Sequence, residues 1–471
     1  MVGTESSDKQ IFMVKFLVIK EKNKVVLAEA GKDFVDVLFS FLAMPMETIV
    51  RLLENQKSQA ATTIGCFNNL YKSVVDMSKD DFLTDACKHI ILYLRYLKER
   101  QYRRFKLNID DTEDLKYYRC PNLGTSQSCS EAYSNFCSLR CSCGELMAKE
   151  IKGVVGSSDE IFVSQKTFFI MTKNMKVDFA SISMTMKTLR GLGYKNLDNM
   201  EAMFVDVGHK EVLALLECLS SSDTPLTDVF LRKQNSCIIT RTLNTPSLAG
   251  QDRDETESNE VLSITVFVWK QDKKILYMES GQDFVDLLFI FLVVPLELVW
   301  ETSGSNIELG CIENFSKSMK SLCSSEGTNP SSFTCVLPWN YRFQAPLLDV
   351  CCKINLKAWS VKINSRPYVL KMMSPNYDGS GESTVHCRSG LVRRDTTYMI
   401  SDDLTITSTK SSSTFCIMKK WGVDLDDIEV HVINISKTEA SSLLRASLMT
   451  STALTTALGS LLPKKPKEEK L

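Results

Sequence analysis

The chain reads as an α+β protein made of tandem duplicated units. Each unit opens with a β-hairpin plus helix part and closes with a second, small α/β part. Three observations predict this: a long internal repeat, hydrophobic patterns that switch from alternation to helical spacing within each copy, and a polar stretch between the copies. The repeat is clearest between residues 28–47, AEAGKDFVDVLFSFLAMPME, and residues 278–297, MESGQDFVDLLFIFLVVPLE, where twelve of twenty positions are identical. Most mismatches exchange one apolar residue for another, and the identities include Gly, Asp and Pro. IGCFNNLYKSV from Ile64 matches LGCIENFSKSM from Leu309, and FIMTKNMKV from Phe169 matches YMISDDLTI from Tyr398. Glu211 and Leu215-Leu216 pair with Glu439 and Leu443-Leu444, so the order of parts is a–b–a′–b′ over about 11–235 and 261–459.

The elements follow in order. Val14–Ile19 is β-branched and apolar, Glu21-Lys22-Asn23-Lys24 is polar, and Val25–Ala28 resumes the apolar pattern, which spells a hairpin. Ile264–Trp269, Lys270–Lys274 and Ile275–Met278 repeat it. Gly31 and Gly281 then permit a sharp change of direction, and Asp33 and Asp283 suit helix starts, where a carboxylate accepts from free amides and meets the positive helix end. Asp33, Asp36 and Ser40 form one polar line, while Phe34, Val35, Val37, Leu38, Phe39, Phe41 and Leu42 cover the rest. So wide an apolar arc predicts a helix buried on most sides. Pro45 ends it or begins the next helix, Met46–Leu53. In the closing parts, hairpins are expected around Asn174 and Asp402-Asp403, then helical character over Met184–Leu189, a strand over Met203–Val207 and a helix over Lys210–Leu219. Phe415–Lys420, Val430–Ile433 and Thr438–Ser447 echo these three, and the helices are expected on one side of the strands.

These patterns divide the chain into a first part a (11–119), a cysteine-rich insert (120–160) and a first part b (161–241). A linker (242–260) follows, then a second part a with a diverged insert (261–390), a second part b (391–459) and a disordered tail (460–471). The linker carries Pro246, Gly250 and the run QDRDETESNE, with little apolar content to bury.

Composition limits the function classes. With 471 residues, 44% hydrophobic content, 24% charged residues and a net charge of -1, the chain can build sizeable cores. It is neither a globally basic nucleic-acid binder nor an acidic disordered chain. The basic run Arg95–Lys106, interleaved with Tyr96, Tyr102 and Phe105, is read as a solvated helix face before a nucleic-acid contact. The apolar runs around Val37–Ala43 and Leu287–Leu296 are too short to span a bilayer, and the first ten residues show no secretory signal. Irregularly spaced cysteines then favour a reducing compartment, the cytoplasm, with the lysines of the tail as a weak nuclear-import cluster.

The best chemical lead is RCPNLGTSQSCSEAYSNFCSLRCSCGEL, which gathers Cys120, Cys129, Cys137, Cys141 and Cys143. Cys120-Pro121 and Cys143-Gly144 resemble the turns of a small metal site, and thiolates suit tetrahedral zinc. The expected ligand set for a structural zinc ion is Cys120, Cys137, Cys141 and Cys143, or Cys129 in place of Cys137, with reduced packed thiols as the alternative. The spacings x8, x7, x3 and x1 lack the paired C-x2-C of a zinc ribbon. In the second copy Cys335, Cys351, Cys352, His386 and Cys387 are widely spread, and Ser389 stands where Cys143 would be. A second candidate is polar: Glu29, Lys32, Asp33 and Asp36 with Glu279, Asp283 and Asp286, which could do acid–base work or bind a hard cation but suit capping and turn hydrogen bonds better. No dinucleotide, phosphate-loop, HExxH or GxSxG motif occurs, so no catalytic residue is assigned.

AEAGKDFVDVLFSFLAMPMETIVRLL, GCFNNLYKSV, the YYRCP…CSCG stretch and the segment from LRGLGYKNLDN to SSSDTPLTDVFL together resemble the plant-specific uncharacterised family catalogued as domain of unknown function 674. The resemblance covers nearly the whole chain. It implies a plant protein with a tandem domain and implies no established activity, substrate or cofactor. It places Glu29, Gly31, Lys32, Asp33 and Asp36 in the family's leading motif, and Cys120, Cys141, Cys143 and Gly144 in its cysteine-rich region. The loose CPNLGTSQSC step, Gln282 and Ser389 depart from that pattern, and such changes suit a scaffold better than a repeated catalytic role. The expected function is therefore a non-catalytic scaffold that engages another protein through an apolar patch, in the groove between the copies. A small-molecule-binding protein or enzyme of unassigned reaction is the alternative, and a nucleic-acid module the third.

Overall fold

In the computed structural model the described residues are 11–55, 64–94, 105, 107–109, 112, 116–151, 162–163, 168–232, 261–302, 310–325, 359–363, 365–373, 390–409, 419, 422 and 424–463. The linker 242–260, nearly all of the basic run, Cys335, Cys351, Cys352, His386 and Cys387, most of Phe415–Lys420 and most of the tail lie outside them.

The first half runs β1 (Phe12–Ile19), β2 (Lys24–Gly31), α1 (Lys32–Ala43), α2 (Met46–Asn55), α3 (Phe67–Asp76) and α4 (Asp85–Leu92). It continues with the short strands β3 (Tyr118–Arg119), β4 (Ala132–Ser134) and β5 (Lys149–Glu150). It closes with β6 (Phe168–Thr172), β7 (Val177–Phe179), α5 (Ile182–Gly191), β8 (Glu201–Val207) and α6 (His209–Ser221). The second half runs β9 (Leu262–Trp269), β10 (Ile275–Ser280), α7 (Gln282–Val293), α8 (Leu296–Thr302) and α9 (Ile312–Ser325). Then come β11 (Trp359–Ile363), β12 (Arg366–Met372), β13 (Tyr398–Ser401), β14 (Ile406–Ser408), β15 (Ile428–Ile435), α10 (Lys437–Met449) and α11 (Ala453–Leu458). This is the α+β class the patterns predict.

Alternation in β1 buries Phe12, Val14, Phe16 and Val18 on one face and turns Met13 and Lys15 outward. Its sheet has the order β7-β6-β2-β1-β8, all antiparallel, and a second sheet has the order β14-β13-β10-β9-β15. Matched sequence segments thus take the same place in the two sheets. Between the sheets lies one core that draws on both halves, including α1, α2, α3, α7, α8 and α9. Phe34 to Leu42 of α1, including Asp36 and Ser40, and Phe284 to Val293 of α7 are buried throughout. Each fully buried Val, Leu or Phe there stabilises by about 1.5–3 kcal/mol, which is why neither helix has a solvent face to spare.

The two halves exchange contacts reciprocally. Pro45 bridges Pro295: the Met46 amide donates to the Val294 carbonyl at 3.0 Å and the Leu296 amide to the Met44 carbonyl at 3.1 Å. Each helix that follows a Gly-Cys step docks on the opposite half's sheet, α3 against β14 and α9 against β7. Ser73 Oγ accepts from the Ile406 amide at 2.8 Å, and Ser318 Oγ accepts from the Val177 amide at 3.0 Å. The Cys66 amide donates to the Ser447 carbonyl at 2.7 Å, and the Cys311 amide to the Leu219 carbonyl at 2.9 Å. Gly65 and Gly310 both have φ +51, and a Cβ there would lie 2.1 Å from the Ser447 oxygen and 2.6 Å from the Leu219 oxygen. Only glycine allows that approach in that conformation.

Three expectations are corrected. Gly31 and Gly281 have φ −79 and −88 and nothing within 4 Å of an added Cβ, so the turn into each helix does not call on glycine's freedom. They, not Asp33 and Asp283, are the N-cap residues; the two aspartates sit in the first turns. Helices also lie on both sides of the first sheet, because Leu189 of α5 packs with Ile19, Val26 and Leu27 on the outer face.

A third sheet was not foreseen. Its order is β11-β12-β4-β3-β5, so strands of the cysteine-rich insert pair with a hairpin from the second half. β12 runs parallel to β4, with Lys371 opposite Ala132 and Met372 opposite Tyr133.

Candidate metal centre

β3 delivers Cys120 into a turn in which the Leu123 amide donates to the Cys120 carbonyl at 3.3 Å. The loop returns through Cys129 to β4. A bridge between Arg140 and Leu146 then closes a small hairpin that carries Cys141 and Cys143 at its tip. There the Cys141 amide donates to the Glu145 carbonyl at 2.8 Å, and the Gly144 amide to the Cys141 carbonyl at 2.8 Å, with Gly144 at φ +88.

The sulfurs of Cys120, Cys129, Cys141 and Cys143 lie within 4.8 Å of one another. Cys120 and Cys143 are 3.5 Å apart, as are Cys129 and Cys141. Four thiolates about 2.3 Å from a tetrahedral zinc ion stand about 3.8 Å from each other, so the cluster has the span that such a centre needs. Backbone amides already point at two of the sulfurs: that of Asn122 at Cys120, and those of Cys143 and Ser130 at Cys141. Donation from the residue two ahead stabilises a metal-bound thiolate.

Burial pushes the Cys120 thiol up to about 11 and raises Cys129 still further, aided by its neighbouring sulfurs. At Cys141 burial also pushes upward, but the Cys143 amide and the Ser130 hydroxyl and amide outweigh it and bring the thiol down to about 6. The cluster thus holds one group, Cys141, primed as a thiolate, and two, Cys120 and Cys129, that burial keeps protonated until a cation offsets it. These four residues can hold a metal ion.

Of the expected set, Cys120, Cys141 and Cys143 are brought together, and Cys129 occupies the place given to Cys137. Cys137 is exposed, in the loop after β4, outside this group. The available signal was the polar, turn-rich run between Cys120 and Cys129, which lets an x8 loop fold back on itself.

The polar candidates do not converge. Glu29 is exposed on β2 and Glu279 is half-buried on β10, while Asp33 and Asp283 are exposed. Asp36 and Asp286 are buried instead, each tying down a chain segment. Asp36 accepts from the Val163 amide at 3.3 Å and pairs with Lys32 at 3.0 Å, while Lys32 Nζ also donates to the Val163 carbonyl at 2.5 Å. Asp286 accepts from the Leu391 amide at 3.0 Å and the Val392 amide at 3.4 Å, and Gln282 Nε2 donates to the Val392 carbonyl at 2.7 Å. Burial raises both carboxyls, Asp36 to about 6 and Asp286 to about 8; the Lys32 cation restrains the first, and the Leu391 and Val392 amides and the Arg394 cation restrain the second. Glu47, missed in the sequence, is also buried and raised by burial; it pairs with Arg51 at 2.8 Å and accepts from the Leu94 amide at 3.4 Å.

A family model described as protein of unknown function (DUF674) matches residues 8–438. No curated protein and no solved structure matches the chain.

Proposed function

The chain belongs to the DUF674 family of proteins of unknown function, and on that premise we propose that it is a non-catalytic scaffold of two duplicated units that engages another protein. One observation carries this reading. Phe204 on β8 and Val432 on β15 occupy matched places in the edge strands of the two sheets, opposite Lys15 and Thr265, and are 64% and 69% exposed. Met13 beside the first and Val430 beside the second extend each apolar strip. Apolar strips at equivalent points of two edge strands suit contact with another protein. The contact is on the outer faces and not in a groove between the copies, where the helices already fill a shared core.

The buried acids support the same reading, because each is engaged with backbone or a nearby cation and serves as a strut. The metal at the four-cysteine cluster is zinc in a structural role: four thiolates close the coordination shell and leave no position for substrate. All the described cysteines are free thiols, which fits the cytoplasm with access to the nucleus. No helix among the described residues is long and apolar enough to cross a membrane.

The test is affinity purification from the native tissue, followed by direct binding between purified chain and purified candidate. Phe204→Lys and Val432→Lys should weaken that binding at least about tenfold while leaving the fold intact. A chain with no stable partner across conditions, or binding indifferent to both changes, would refute the reading.

A further inference from the structure

We infer that metal occupancy of the four-cysteine cluster latches the β11–β12 hairpin of the second half onto the first. This rests on the metal reading above and adds what the ion does. The third sheet is assembled from strands of two and three residues in the insert, joined to a hairpin that comes from more than 200 residues later in the chain. Strands that short do not hold a sheet by themselves. Across the seam the backbone offers the Lys371 amide to the Glu131 carbonyl at 3.0 Å and the Met373 amide to the Tyr133 carbonyl at 2.7 Å.

The metal ligands frame this seam. Met373 packs in the small cluster that contains Cys120 and Cys141, and Leu370 packs in the neighbouring one that Cys129 borders. The loop between Cys120 and Cys129 carries Leu123 and Gly124; a Cβ at Gly124 would lie 3.1 Å from the Tyr368 hydroxyl. An ion that joins Cys120 to Cys129 therefore closes the loop on which the hairpin sits, and joining both to Cys141 and Cys143 fixes that loop to the tip of the second turn. Metal binding energy becomes ordering energy for the seam between the short strands and the hairpin.

The experiment uses the full chain, purified under reducing conditions, with zinc content and hydrogen exchange measured before and after chelation. Zinc loss should speed exchange in 359–372 and 118–150 by about tenfold or more, a small part of what a structural zinc ion supplies to folding, while β9 and β10 keep their protection. Cys129→Ser should reproduce the chelated pattern, and Cys137→Ser should keep both zinc and protection. Zinc present but exchange in 359–372 unchanged on its removal would overturn the latch and leave the metal reading standing. A protein purified without zinc, and unable to take it up, would overturn both.

Discussion

The reciprocal seam makes a sharp prediction at glycine. Gly65→Ala places an L-residue at φ +51, which costs about 1–2 kcal/mol, since the left-handed region crowds Cβ against the next carbonyl. The new methyl would also stand 2.1 Å from the Ser447 oxygen, the acceptor of the Cys66 amide, so backbone must move on one side of the seam. Overpacking of this kind costs about 1–3 kcal/mol. The sum is about 2–5 kcal/mol, and Gly310→Ala should fall in the lower part of that range because its nearest atom, the Leu219 oxygen, is at 2.6 Å. Gly191, at the end of α5, has no positive φ and nothing within 4 Å, so Gly191→Ala should be neutral or stabilising by up to about 1 kcal/mol. Urea unfolding of the full chain, followed by tryptophan fluorescence, ranks the three. If Gly65→Ala and Gly191→Ala had midpoints corresponding to within about 0.5 kcal/mol, the tight exchange at this position would be refuted.

Three further outcomes follow from the same contacts. Ser73→Ala and Ser318→Ala each strand a buried amide, that of Ile406 or Val177, so each should cost about 1–3 kcal/mol by urea titration, and markedly unequal effects would argue against equivalent struts. Asp286 is held at about 8 against an ordinary 3.8, so the unfolded chain gives up its proton first as pH rises; the stabilisation is complete below pH 4 and is lost as pH climbs toward 8. Asp286→Asn, which keeps an oxygen for the Leu391 amide, should flatten the fall in unfolding free energy between pH 5 and 8, and an unchanged slope would assign that fall elsewhere. Lys32→Gln should make the first half resemble the second, steepening the same fall as the cation beside Asp36 is lost, with a stability profile unchanged from pH 5 to 8 as the contrary result.

What could be read from the chain was whatever depends on neighbours in sequence. β1 and β9 announce themselves by alternation, α1 and α7 by an apolar arc too wide for a surface. The exchange of α3 and α9 was not legible, because the apolar face of a helix looks the same whichever sheet receives it. Nor was the third sheet: strands such as Tyr118–Arg119 and Lys149–Glu150 are too short for any period to register. The cysteine site was half legible. Its turns carry Pro and Gly signatures, but the choice of Cys129 over Cys137 depends on how an eight-residue loop returns, which its polar, turn-rich composition permits without fixing.

The contact between Ser73 and Ile406 spans 333 residues, and that distance sets a delay during synthesis. At about 5–20 residues per second, a ribosome needs roughly 20–70 s after making α3 to make the strand that receives it. Through that interval α3 has only α2 and α4 of its own half to pack against, and the first sheet lacks its visitor α9. The chain's early life therefore exposes apolar surface that is prone to aggregation and that is covered only when the second sheet emerges.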